Sequence, residues 1–282
     1  MLKGLTTAGI GDVDSINQFV KLASAHQFDV IDSDGASLDQ FIKREGLENA
    51  KAFLQDYNIQ IGTIGLSVEW RRSEEEFQNG LKQLVIDAEA ASSLGCQSCV
   101  TYILPSTDLH AAQFMAIATR RLRVCAQILG SYGISLGLEF VGPHHLRTNW
   151  KNPFIWNMEQ TLDFISAINE QNVGLLVDAY HCYTNRMSFE ELTKLNPSQI
   201  VHVHINDAKD LPIEQLLDND RLYPGEGVID LQGFLKALKK AGYEGPVSQE
   251  VLTKQPPEKN PEELLKYSAA AYEKLFKSVG FS

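Results

Sequence analysis

The chain is short of cysteine, of basic charge and of long apolar runs, and each shortage excludes something. Four cysteines in 282 residues (Cys96, Cys99, Cys125 and Cys182) are too few to staple a fold of this size. Cys96 and Cys99 have CxxC spacing, but they open the strand-like run CQSCVTYIL instead of capping a helix, and no second pair completes a zinc site. They read as small buried apolar residues. Lysine and arginine number 25 against 36 acidic residues, a formal charge of −11. Such a surface repels phosphate backbones. The densest basic cluster, Arg120, Arg121 and Arg123, reads as the solvated face of the helical segment HAAQFMAIATRRLRVCAQIL. Nucleic acid is therefore not an expected partner. No apolar run nears the roughly 20 residues that span a bilayer, and MLKGLTTAGIGD lacks a signal-peptide core of about 7–15 apolar residues. The expectation is no membrane contact and a cytoplasmic protein. The loop GIGDVD after the first strand-like run also lacks the GxGxxG of a dinucleotide site.

What is present is a rhythm. Short apolar runs, GLTTAGI (4–10), FDVIDSD (28–34), IQIGTIGL (59–66), CQSCVTYIL (96–104), ISLGLEFV (134–141), VGLLVDAYH (173–181), IVHVHIND (200–207) and PVSQEVL (246–252), alternate with segments of helical period. Those segments include DSINQFVKLASAH, SLDQFIKREGLENAKAFLQDY and DLQGFLKALKKAGY. Start and stop signals mark several: Asp14-Ser15 and Asp230 before a helix, Gly95 and Gly242 after one. Eight strand–helix repeats with strands apolar throughout predict a single α/β domain over residues 1–282, a closed (β/α)8 TIM barrel.

Barrels of this kind collect their chemistry at the carboxyl ends of the strands. The last four runs place Glu139, Asp178, His204 and Glu250 there. Three carboxylates converging in a pocket repel one another, and burying each alone is costly. A divalent cation relieves both penalties. An oxygen-rich set with one imidazole favours Mn²⁺ first, with Zn²⁺, Co²⁺ and Mg²⁺ also suited. His202, two residues before His204 on the same strand face, sits one layer deeper and reads as core or support.

Other polar residues fall close by. His181 and Asp207 each lie three residues beyond a proposed ligand, and the long segment AKDLPIEQLLDNDRLYPGEGVI carries Arg221 and Glu226. All four are candidates for substrate contact. Trp70 is a candidate platform for a sugar face, with Asp34, Glu69 and Tyr102 beside it on the pocket's opposite wall. The pair His144-His145 follows Glu139 in a loop.

These motifs carry a resemblance. LGLEFVGP, VGLLVDAYH, IVHVHINDAKDLP, DRLYPGEGVIDL and GYEGPVSQEV, taken in order, resemble the xylose isomerase-like TIM-barrel family of sugar isomerases and epimerases. The resemblance implies that Glu139, Asp178, His204 and Glu250 bind one divalent metal, that Glu139 and Glu250 also move protons as catalytic residues, and that His181, Arg221 and Glu226 address substrate. The implied reaction is proton transfer α to a carbonyl through an enediolate, on a small sugar or polyol ketone. A dehydratase acting on an inosose or 3-dehydroshikimate through the same site is the alternative. A metal-dependent hydrolase of the AP-endonuclease kind fits worse with the acidic surface, and a homo-oligomer is compatible with the sequence. IDSDGAS after the second strand, SVEW and TYILPST depart from the family pattern.

Overall fold

The computed structural model describes residues 1–280. Seven of the eight strands fall inside the expected runs and the first starts two residues before its run: β1 (Leu2–Leu5), β2 (Val30–Asp34), β3 (Gln60–Gly65), β4 (Ser98–Ile103), β5 (Ser135–Phe140), β6 (Val173–Asp178), β7 (Ile200–Ile205) and β8 (Pro246–Gln249). All pair in parallel with their neighbours, and β8 closes onto β1 to complete a barrel. Helices cover the outside and side chains fill the inside, so β6 is buried at every residue.

The helix ends follow their signals. Ser15 caps the helix Ile16–Ala25 by accepting from the Gln18 amide, and Asp230 caps Leu231–Lys240 through Gly233. Gly95 and Gly242 take φ of 84° and 83°, the left-handed values that only glycine adopts freely. One expectation changes at this level. The stretch 37–57, read as one helix, is two, Gly35–Glu45 and Leu47–Asp56, because Gly46 at φ 81° stops the first and starts the second.

The basic cluster divides as well. Arg120 is exposed, as expected of a solvated face. Arg121 is instead buried, with its guanidinium on the carbonyls of Trp70 and Arg72 and on Glu74, and Arg123 donates to the carbonyls of Ile168 and Ala167. These two cations tie helix ends and loops together. All four cysteines are free and buried, and burial pushes the Cys96 thiol up to about 12, which leaves it inert. No described helix is long and apolar enough to cross a membrane.

Register decides which side chains meet. Glu139 is level with Leu176, Asp178 with His204, and His204 with Ser248. Asp178 lies two residues beyond Leu176 and Glu250 two beyond Ser248. Every offset is even, so all four candidate ligands face the same side of the sheet, the inside of the barrel.

Candidate metal centre at the barrel mouth

Glu139, Asp178, His204 and Glu250 come together at the carboxyl end of β5 to β8. One donor atom from each lies within 4.8 Å of the others. The His204 Nδ1 sits 3.5 Å from Glu250, 3.7 Å from Glu139 and 4.0 Å from Asp178, hydrogen-bonded to none of them. Glu139 Oε1 is also buried without a partner. Two opposed, unpartnered buried donors among three carboxylates are what a divalent ion would satisfy.

Each ligand is held from behind. Asp178 ends β6 and caps the short helix Ala179–Thr184: its Oδ1 accepts the amides of Tyr180 (2.6 Å) and His181 (3.3 Å). Its Oδ2 accepts from Asn206 Nδ2 and from Arg221, both at 3.0 Å. Arg221 also donates to Glu250 Oε2 at 2.8 Å and to Asp218 at 2.8 Å, so one buried guanidinium spans three carboxylates. His181 Nδ1 accepts the Gly142 amide at 3.3 Å, which turns Nε2 toward Glu139 at 3.8 Å and Asp218 at 3.9 Å.

The electrostatics follow from this packing. Burial raises the Glu139 carboxyl above its ordinary range. Glu250 is less buried, its side chain 20% exposed against 10% for Glu139, and His204 and Arg221 outweigh its desolvation and hold it below that range. Burial disfavours charge on His204, yet Glu250 and Glu139 together hold its imidazole well above the usual histidine value.

Two hollows open over the site, with His204 and Glu250 lining both. The first, about 410 Å³, is lined by Thr6, Asp32, Asp34 and Thr63 from the early strands. The second, about 330 Å³, is lined by Glu69, Arg71 and Tyr102. Asp34, Glu69 and Tyr102 thus stand on the opposite wall, whereas His144 and His145 line neither hollow.

Three expected substrate contacts are corrected. Trp70 has no solvent exposure: its indole donates to Thr101 Oγ1 at 3.1 Å and stacks on Phe114, so no ring face is left for a sugar. Asp207 turns away from the mouth, its two oxygens accepting the amides of Ala208, Gly225, Gly227 and Ile229. Glu226 stays outside on the loop, bonded to the Tyr267 hydroxyl and the Tyr223 amide.

Three residues near the site went unassigned in the sequence. Asp218 precedes Arg221 by one turn and fixes it, and Asn206 adjoins Asp207. Asp32, on β2, accepts or shares a proton with His202 Nε2 at 2.8 Å and lies 3.8 Å from His204 Nε2. His202 is therefore one layer down, supporting Asp32, and the barrel floor is polar there. Asp32 belongs to a strand 172 positions before His204, so no local pattern pairs them.

The model of the xylose isomerase-like TIM barrel matches residues 20–274. The chain belongs to that family. Within it, the chain is similar to the inosose isomerase of Bacillus velezensis, 26% identical over 240 residues that cover 84% of this chain and 83% of that one. A solved structure of a xylose isomerase domain protein from Alicyclobacillus acidocaldarius superposes with a TM-score of 0.91 at 33% identity, over 99% of both chains. A structure of the IolI protein with a zinc atom bound superposes at 0.82 over the full length of both, at 24% identity, and shows the shared fold.

Proposed function

We propose that this family member is a divalent-metal-dependent isomerase or epimerase of a sugar or polyol ketone, acting as an inosose isomerase does, by proton transfer α to the carbonyl through an enediolate. The observation that carries the reading is the convergence of four donors from four successive strands, with Glu139 Oε1 and His204 Nδ1 buried and unpartnered. Glu139, Asp178, His204 and Glu250 would hold the ion, Mn²⁺ by preference, with Zn²⁺, Co²⁺ or Mg²⁺ also suited to the set. When bound, the ion supplies a Lewis acid for the ketone oxygen and neutralises clustered carboxylate charge.

The chain's own groups supply the proton chemistry. In the metal-free protein burial pushes the Glu139 carboxyl up, while His204 and Arg221 outweigh burial at Glu250 and hold it down. Glu250, held ionised beside Arg221, takes the α proton. Glu139, or a bound water, returns one to the neighbouring carbon or the opposite face. Arg221 fixes the Glu250 carboxylate and His181 reaches the oxygens of bound substrate. Asp178, with both oxygens already anchored, serves as a rigid ligand.

The substrate in this reading is unphosphorylated. Barrels that bind phosphate use backbone amides after the seventh and eighth strands. Here the amides of Gly225 and Gly227 are taken by Asp207, and the larger hollow is walled by Asp32, Asp34 and threonine hydroxyls. The test is metal analysis, followed by assay of the reconstituted protein with inososes, ketohexoses and 3-dehydroshikimate. Product of unchanged mass supports the isomerase or epimerase, and loss of water identifies a dehydratase. Full activity in the metal-stripped protein, or wild-type turnover by Glu250→Gln, refutes the reading.

A further inference from the structure

The hollow on the β3–β4 side does not end at the candidate ligands. Glu69, Arg71 and Tyr102 line it and also line a further hollow of about 470 Å³, which runs outward over the loops after β4 and β5 to Trp150. Together they form one groove that starts at Glu139 and leaves the barrel.

The walls of this groove are held in place. Tyr102 is the register partner of Glu139 on the adjacent strand, and its side chain is among the most exposed large hydrophobic ones at 47%. Behind it, the Arg71 guanidinium lies 4.0 Å from the Tyr102 ring centre and 4.3 Å from that of Trp70, and donates to Thr101 Oγ1 at 3.2 Å. At the far end, a short antiparallel ribbon pairs Ser106 with Pro153 and Thr107 with Asn152. Ser106 Oγ accepts the Trp150 backbone amide at 3.2 Å, which fixes the backbone that carries this half-buried residue. Two aromatic rings therefore border a floor that offers Glu69, Asp108 and Arg71, of mixed charge. Ring faces suit the C–H face of a sugar, and the polar atoms suit its hydroxyls.

We propose that this groove is an outer subsite for a second sugar ring, so that the substrate is a ketose or cyclic ketone with another ring attached. The inference rests on the reaction proposed at Glu139 and Glu250. The inner hollow, about 330 Å³, is within the range that serves small ligands, so a free six-carbon ketone would leave the outer 470 Å³ without contact. A linked ring fills it while the ketone remains at the ligands.

The experiment compares D-fructose with the glucosyl fructoses turanose, maltulose and isomaltulose on the metal-loaded full-length protein, by kcat/KM and, independently of turnover, by calorimetric binding. At least one glucosyl fructose is expected to exceed D-fructose in kcat/KM by about tenfold, a stacked ring's worth of binding. Trp150→Ala should lower that ratio about tenfold, and Trp150→Phe, which keeps an aromatic face, should restore most of it. Equal values for all four sugars, or a ratio unmoved by Trp150→Ala, overturn the subsite. Tight binding of a glucosyl fructose that is lost in Trp150→Ala, without turnover of any sugar, upholds the subsite and refutes the reaction reading alone. A Trp150→Ala protein that dissociates from a dimer in sedimentation while its ratio stays fixed shows that a second copy covers this face, and overturns the proposal.

Discussion

Asp207 gives the sharpest test of how the loop beyond β7 is built. Its carboxylate is buried and accepts four backbone amides: Ala208 and Ile229 at 2.9 Å on one oxygen, Gly225 and Gly227 at 3.0 Å on the other. Its own backbone exchanges two hydrogen bonds of 2.9 Å with Leu222, so the residue gathers both ends of a loop that carries Asp218 and Arg221. Asp207→Asn keeps the shape but turns an NH2 toward one pair of amides. Two buried N–H groups then lose their acceptor, at about 1–3 kcal/mol each. The sum, about 2–6 kcal/mol, corresponds to a fall of about 4–12 °C in thermal midpoint at roughly 2 °C per kcal/mol for a chain of this size. Because Arg221 hangs from the same loop, kcat should fall more than KM rises. Gly227→Ala should act in the same direction, since a Cβ there would meet the Ala208 carbonyl at 2.1 Å and Asp207 Oδ1 at 2.6 Å. Scanning calorimetry with steady-state kinetics decides the matter. A midpoint within about 1 °C of wild type together with a raised KM alone would show that Asp207 binds substrate after all, and would refute the clamp.

Other outcomes follow from the same geometry. Glu250→Gln should lower kcat by about 10²–10⁴ while substrate affinity changes far less, measured by turnover alongside calorimetric binding. A divalent ion at about a hundred times its Kd should stabilise the chelator-treated protein by about 2.7 kcal/mol, seen as a rise in thermal midpoint that Asp178→Asn diminishes. Ion binding should release a proton at neutral pH, because His204, despite its burial, is held protonated by Glu250 and Glu139 and must give up Nδ1. Affinity should then rise with pH up to that raised value, and calorimetry in buffers of different ionisation enthalpy counts the proton. Burial alone would raise Asp218, but Arg221 and His181 outweigh it and hold the folded carboxyl low. Its stabilising share in the metal-free protein should thus be complete above the unfolded value near pH 4 and disappear as pH falls through the lower folded one. Asp218→Asn should flatten that part of the profile of thermal midpoint against pH.

The residues that sequence reading located and those it missed differ in a physical way. Period-two and period-3.6 patterns are local, so the eight strands could be placed along the chain, and the caps at Ser15 and Asp230 and the stops at Gly95 and Gly242 could be read residue by residue. The four candidate ligands were legible because each lies within one residue of a strand's carboxyl end, and a closed barrel brings strand ends together whatever the loops do. Polarity near a strand end does not reveal direction, however. Trp70 and Asp207 both lie just beyond strands, yet one packs on Phe114 and the other folds back onto amides up to 22 residues further along the loop. Gly46 broke a helix that its apolar period continued through, because periodicity takes no account of one residue's φ.

By itself, then, the sequence determined the barrel, the place of each strand in the chain and the four polar residues near the ends of its last four strands, since these depend on local pattern and on the even register of parallel strands. Only the tertiary structure decided which polar groups face them. Asp32 comes beside His204 from the far side of the closed sheet, and Arg221 reaches Asp178 and Glu250 through a loop pinned at Asp207. Burial and approach across the barrel also set the opposed proton affinities of Glu139 and Glu250. Those depend on distances between strands that no single segment encodes.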